Sequence, residues 1–205
     1  MKKHFFFFIL LLFPLLAAAQ TYKYIGVEDG LSNRRVYAIQ KGPKGYMWFL
    51  THDGIDRYNG KEFKHYKLMD GEEEVNSMMS LSWLYTDAKG RLWEIGKQGR
   101  VFCYESKHDR FQLVYKLPKS ETKDLHTPVS YGFIDDNYIV WLCNQKNIYL
   151  YDSETERCTT IKNEINESIT DIEQIDANHY FIGTDVGIHY AELKNNKLML
   201  SPCNK

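Results

Sequence analysis

The side chains best suited to chemistry fall in short polar clusters: Asn33-Arg34-Arg35, His52-Asp53, Lys97-Gln98, Gln145-Lys146 and Asp185. An arginine presents a planar fork to a carboxylate or sulfate, and amides, carboxylates and ammonium groups bond hydroxyls, so the set suits a hydroxylated or anionic ligand. A solvated loop tip is the plainer reading of any one of them. Catalysis is not indicated. The chain has no Gly-rich phosphate loop and no G-x-S-x-G, and the paired Asp135 and Asp136 lie in a turn that explains them. His65, His108, His126, His179 and His189 show neither i, i+4 spacing nor a cysteine companion, so neither a metal nor a cofactor is expected.

The elements that must carry these clusters repeat. Trp48, Trp93, Trp141 and Phe181 stand at steps of 45, 48 and 40 residues. A turn precedes each, at "GPKG" 42–45, "DAKG" 87–90, "DDNY" 135–138 and "DANH" 176–179. A second turn follows, at "THDG" 51–54, "GKQG" 96–99, "NQKN" 144–147 and "TDVG" 184–187. Further apolar runs lie upstream and downstream, so each unit holds four short runs separated by Gly, Asn and Asp turns. That is the pattern of consecutive antiparallel strands, and four strands per 40 to 50 residues point to propeller blades. The middle runs "YMWFL" and "YIVWLC" are apolar at nearly every position, as in a sheet covered on both faces. The expected fold is therefore all-β, with four four-stranded antiparallel blades at about 36–68, 81–117, 129–161 and 169–201, forming an open or partial propeller. Ile165, Ile169, Ile172 and Ile175 have helical spacing, yet register with the other units makes 169–175 an inner strand. "YKYI" at 22–25 reads as an additional strand without a partner. Strand order puts the polar clusters on one end of the sheets, and Trp83, on an inner strand, is a candidate axis-lining or ligand-stacking residue.

Residues 1–19 have the form of a signal peptide: Lys2 and Lys3, an apolar run from Phe5 to Leu16, then Ala17-Ala18-Ala19, with the cut expected before Gln20. Residues 20–205 would then be exported. Nothing in them approaches a membrane-spanning length. Losing Lys2 and Lys3 leaves 24 basic against 27 acidic residues, without the surplus that a nucleic-acid partner favours. Cys103 and Cys143 sit in apolar runs as buried thiols would, while bridges from Cys158 to Cys143 or Cys203 stay open on spacing alone.

The segment "EDGLSNRRVYAIQKGPKGYMWFLTHDGIDRYNGKEFKHY" closely resembles the two-component regulator propeller repeat. Gly30, Leu31 and Ser32, then Gly45, Trp48, Thr51, Gly54, Ile55 and Tyr58 match its pattern, although Gly42 replaces the usual Asp. The later units keep Asp87, Gly90, Trp93 and Gly99, then Asp135 and Trp141, then Asp176, Gly183, Thr184 and Gly187. Tyr138 and Asn147 replace glycines in the third unit, and Phe181 replaces Trp in the fourth. The resemblance implies a periplasmic sensor region of a Bacteroidetes hybrid two-component histidine kinase, commonly responsive to glycans and usually seven-bladed. The chain has four units and no kinase motif or membrane helix, so it is read as the N-terminal part of such a sensor or a truncated relative. The expected ligand is an oligosaccharide or other small extracellular molecule. The expected protein partners are a second copy in a homodimer or further propeller blades. A stand-alone exported interaction protein is the alternative, and a polysaccharide-active enzyme a further one.

Overall fold

The structure, a computed structural model, describes residues 22–75, 82–122, 129–165 and 167–202. Its strands form four consecutive four-stranded antiparallel sheets, each in sequence order from one edge to the other. Sheet 1 holds β1 (Val36–Lys41), β2 (Met47–Thr51), β3 (Gly54–Tyr58) and β4 (Phe63–Tyr66). A two-stranded hairpin, β5 (Met69–Asp70) and β6 (Glu73–Glu74), leads to sheet 2: β7 (Ser82–Thr86), β8 (Leu92–Gly96), β9 (Arg100–Glu105) and β10 (Arg110–Lys116). After a one-turn helix, Lys119–Thr122, sheet 3 holds β11 (Tyr131–Ile134), β12 (Ile139–Cys143), β13 (Asn147–Asp152) and β14 (Arg157–Lys162). Sheet 4 holds β15 (Ile169–Gln174), β16 (His179–Thr184), β17 (Ile188–Lys194) and β18 (Lys197–Pro202). The isoleucines with helical spacing therefore end in strand β15, where pairing with β16 outweighs the local period. Residues 22–25 form no strand, and Tyr22 and Tyr24 are exposed, so the additional strand expected there is absent.

The sheets stack in series because each has two apolar faces. We call the face carrying the central Trp the leading face and the other the trailing face. Trp48, Leu50, Ile55 and Tyr66 of the first leading face share one cluster with Leu84, Leu92, Phe102 and Phe111 of the next trailing face. Trp93, Ile95 and Val101 likewise meet Val140, Leu142, Tyr149 and Tyr151. Trp141, Cys143, Ile148 and Leu150 meet Ile172, Tyr180, Ile182 and Ala191. Fully burying one such side chain is worth roughly 1.5–3 kcal/mol, so these three seams supply most of the cohesion. Cys143 lies on the leading face and Cys158, opposite Tyr151, on the trailing face of the same sheet, which separates them. Cys103, Cys143 and Cys158 are free thiols, and Cys203 lies outside the described residues.

The six-residue step from turn to Trp has a hydrogen-bonding reason. Trp93 Nε1–H donates to Asp87 (2.9 Å) and Trp141 Nε1–H to Asp135 (3.0 Å). Asp135 also receives the Tyr180 hydroxyl of the neighbouring sheet at 2.8 Å and the backbone N–H of Ile139 at 2.9 Å. Burial pushes its carboxyl above the ordinary value while these donors pull it back. In sheet 1 the position is Gly42, whose missing Cβ would lie 2.4 Å from the Trp48 indole. The indole occupies the space of an Asp side chain, and Trp48 Nε1–H is buried without a partner among the described residues. The first seam is held instead by Asp109, which accepts from Arg57 (2.8 Å), Tyr66 (2.7 Å), Tyr104 (2.5 Å) and Lys64. Burial opposes its ionisation, yet the donors and the Arg57 charge hold its carboxyl well below the usual range. In the third unit Tyr138 takes the left-handed conformation (φ 65°) that glycine holds at Gly90, and its ring lies 4.0 Å from Lys89 Nζ. That cation contact offsets some of the roughly 1–2 kcal/mol of backbone strain.

Glu94 departs from the pattern. By register it stands where sheets 3 and 4 have Leu142 and Ile182, on a trailing face, and it is fully buried. Desolvation raises its pKa from 4.5 to about 7, against a hydrogen bond with Ser82 and the charge of Arg100. Its Oε2 has no partner among the described residues.

Two outcomes follow from these contacts. Trp141→Phe strips a donor from a buried carboxylate whereas Trp48→Phe deletes an N–H that already lacks a partner. Urea denaturation should show the former costing about 1–3 kcal/mol more; equal losses would contradict the assignment. For Glu94, the folded pKa exceeds the unfolded one, so stability present below about pH 4.5 is lost as pH rises towards about 7. The loss is on the order of 3 kcal/mol by the free energy per pKa unit. Glu94→Gln should flatten that part of the stability–pH curve, and an unchanged slope would refute the account.

Candidate ligand-binding site

Three of the four β2–β3-type turns are tied by a side chain from their first residue. Thr51 Oγ1 accepts from Asp53 N–H (3.2 Å) and donates to Gly54 O (3.1 Å); Thr184 Oγ1 accepts from Val186 N–H (3.2 Å) and from Gly187 N–H (3.0 Å). Asn144 Oδ1 does the same work in sheet 3 by accepting from Lys146 N–H and Asn147 N–H. In sheet 2 the residue is Gly96, and the turn closes through the backbone bond from Gly99 N–H to Gly96 O. These are ST- and Asx-type turns, which rigidify a tip and point the next side chains outward. The first of them is pinned further: Ser32 and Thr51 hydroxyls bond at 2.8 Å, and Ser32 N–H donates to the buried Asp56 at 2.7 Å. That contact accounts for the Gly-Leu-Ser element, with Leu31 buried beside it.

The tips lie at the end of the sheets where the segments entering each inner strand also lie. His52 N–H donates to Arg35 O, and Asp185 N–H to Ser168 O, each at 3.1 Å. Two groups result. At sheet 1, Asn33 donates to Asp53 (3.0 Å) and caps Arg35 N–H (2.8 Å), while His52 Nδ1 and the Tyr37 hydroxyl share a 3.0 Å bond. Arg34 and Arg35 are exposed beside them. Between sheets 3 and 4, Gln145, Lys146, Glu167, Ser168, Asp185 and Val186 line a groove of about 490 Å³. This second group brings together Gln145, Lys146 and Asp185, residues singled out from the sequence.

Glu167 and Ser168 were not singled out. Register could have found them, since Glu167 stands two residues before β15 just as Arg34 stands two before β1. Glu167 accepts from the Thr184 hydroxyl (2.5 Å) and bonds His189 Nε2 (2.9 Å). The Thr184 bond first, and then His189, hold its carboxyl below the ordinary value, so it is an anion at neutral pH. Asp185 Oδ1 accepts Ser168 N–H at 3.0 Å. The groove thus offers two carboxylates, the Lys146 ammonium, an amide and a hydroxyl, a set suited to a ligand rich in hydroxyls.

Two of the sequence candidates stand apart. Trp83 packs on Tyr131 (ring centroids 5.5 Å, edge-on) against both neighbouring clusters, with Lys97 Nζ 5.7 Å from its ring. Half-buried, it serves the seam between sheets 2 and 3. Gln98 lies half-buried in the sheet 2 turn and bonds neither polar group among the described residues.

No protein-family model matches the chain, and no curated protein matches it. Solved structures do. The extracellular domain of a putative hybrid two-component system from B. thetaiotaomicron superposes with TM-score 0.68 at 18% identity, covering 88% of this chain and 26% of that one. A streptogramin B lyase gives 0.59 at 14% identity, covering 90% of this chain and 58% of that one. PorZ, a surface component of the type-IX secretion system of Porphyromonas gingivalis, gives 0.54 at 11%, covering 83% and 21%. At these identities the likeness is one of fold, and the chain spans about a quarter of the first structure's length.

The Asp185 contact is open to a direct check. Asp185→Ala removes the acceptor of Ser168 N–H, so that amide should exchange faster by hydrogen-exchange mass spectrometry. The surface change should cost within about 0.5 kcal/mol, a Tm shift below about 2 °C. Unchanged exchange at Ser168 would show that the carboxylate does not organise the groove.

Proposed function

We propose that the chain is an exported ligand-sensing β-propeller module of a two-component regulatory system, its four sheets being blades about a common axis. The proposal includes cleavage of residues 1–19, a periplasmic location and a glycan-derived ligand held by the loop-end groove, with no catalytic step. The observation that carries it is the conjunction of the repeated, turn-presented polar tips with the groove between sheets 3 and 4. The fold likeness to an extracellular domain of a putative hybrid two-component system supports it. Also consistent is that none of the described helices is long and apolar enough to cross a membrane. A hydroxyl-rich ligand would bridge Lys146 and the Glu167–Asp185 pair by charge-assisted bonds, each roughly twice as strong as a neutral one. Binding would then signal only by favouring one of two arrangements of the protein.

Isothermal titration of the purified chain against a panel of neutral and acidic oligosaccharides tests this reading. One class should bind saturably, and Lys146→Ala should weaken it at least about tenfold, the loss expected for one charge-assisted bond. Absence of binding across the panel, or binding indifferent to Lys146→Ala and Glu167→Gln, would overturn it.

A further inference from the structure

The outer rims of the first two seams are each closed by a pair of tyrosines. Tyr66, opposite Ile55 on a leading face, meets Tyr104 of the next trailing face with ring centroids 5.8 Å apart. Tyr115, opposite Val101, stacks on Tyr151 at 4.6 Å. In the third seam register gives the same two positions to Ile161, opposite Ile148, and to Ala191, opposite Tyr180. The carboxylate of the first rim is replaced as well. Asp109, which accepts from the Tyr66 and Tyr104 hydroxyls, stands two residues before Phe111, the strand partner of Tyr104. Leu198 stands two residues before Leu200, the strand partner of Ala191.

Two rings and a carboxylate thus give way to three aliphatic side chains, and the third rim does not close. A groove of about 620 Å³ opens between Ile161 on one wall and Leu198 and Leu200 on the other, with Lys162, Glu164 and Lys197 also lining it. That volume is of the size that holds a small ligand. An opening of about 410 Å³ over Ile139, Leu150 and Leu193 adjoins it at Asn196. The groove lies between two sheets of the chain, and it shares no residue with the loop-end groove of Lys146 and Asp185. Leu198 and Leu200 are half-buried against the cluster of this seam, so they present a firm apolar wall. In the first seam Lys64 has Asp109 as its counter-ion, whereas neither Lys162 nor Lys197 bonds a carboxylate among the described residues.

We propose that this groove is a ligand site of its own, for a small aromatic anion of the aryl-carboxylate class. The ring would lie between Ile161 and the Leu198–Leu200 wall, in the place that Tyr66 with Tyr104, and Tyr115 with Tyr151, fill in the other seams. The carboxylate would take the part of Asp109, accepting from Lys162 and Lys197 as Asp109 accepts from Lys64. Both lysines are exposed, so burial of the ring supplies more of the affinity than the charge does. Glu164, the carboxylate that lines the groove, favours a monoanion over a dianion. The inference rests on the seams alone and uses neither the sensing reading nor its glycan.

The probe is 1-naphthoate, titrated into the purified, 15N-labelled chain and followed by amide NMR. It should saturate with a Kd of about 1 mM or tighter. The amides of Thr160, Lys162, Leu198 and Leu200 should shift, while those of Lys146, Ser168 and Asp185 should not. 2-Naphthol, which has the rings without the carboxylate, should bind several-fold more weakly, and Lys162→Ala combined with Lys197→Ala should erase that difference. Ile161→Tyr returns an aromatic ring to the rim and should abolish binding with native circular dichroism. Leu198→Trp fills the groove from the opposite wall at a half-buried position and should do the same. Failure to saturate by about 10 mM would overturn the proposal. Shifts confined to the loop-end groove, or naphthoate binding retained by either folded variant, would do so too. Equal affinity for naphthol and naphthoate would overturn the anionic class. A silent oligosaccharide panel with naphthoate bound would count against the sensing reading alone, and the converse result against this groove alone.

Discussion

The structure depends on one constraint: a small four-stranded sheet with two apolar faces cannot shelter them by itself. The first three sheets solve this by setting their Trp-bearing face on the opposite face of the next, and the three resulting clusters hold nearly all the large buried side chains. The backbone needs of the strands are met inside each sheet, so the seams need only side-chain complementarity. Stability in such an array approximates a sum over units and their joints. A weakened joint should therefore be felt mainly by its two sheets.

Polar groups at the seams are few, and each has a physical account. The Asp-to-indole bonds at Trp93 and Trp141 latch a turn to the strand that follows, and Tyr180 extends the second latch to the neighbouring sheet. Sheet 1 lacks that latch, and the Asp109 network with Arg57, Lys64, Tyr66 and Tyr104 ties its outer edge to sheet 2. Glu94 is the exception, a carboxyl in a position that sheets 3 and 4 fill with aliphatic side chains. Its burial is compatible with folding because the group is largely uncharged up to about pH 7.

Much of this was legible in the sequence because turn chemistry and two-sided burial leave local marks. The Gly, Asn and Asp turns and the aromatic at a fixed step delimit the strands, and the all-apolar middle runs announce cover on both faces. Local pattern misled at "YKYI", where Tyr22 and Tyr24 alternate with Lys23 and Ile25 but the segment joins no sheet among the described residues. At Phe181 register holds and burial does not, since whether a face is covered depends on what lies beside it and not on its own residues. The site was legible in part. Gln145, Lys146 and Asp185 were marked by their turns, whereas Glu167 and Ser168 enter the groove from the segment before β15. Trp83 stood out as an aromatic where unit one has Ala38, but its surroundings in the seam came only with the neighbouring sheet.

Fluorine NMR of the chain labelled with 5-fluorotryptophan probes the stacking most directly, through the change of each resonance between H2O and D2O. If equivalent seams enclose Trp48, Trp93 and Trp141, their three resonances should show no solvent isotope shift, while Trp83 shows a partial one. A full solvent shift at any of the first three would mean that its face is open to water, and the serial packing of leading on trailing faces would be wrong.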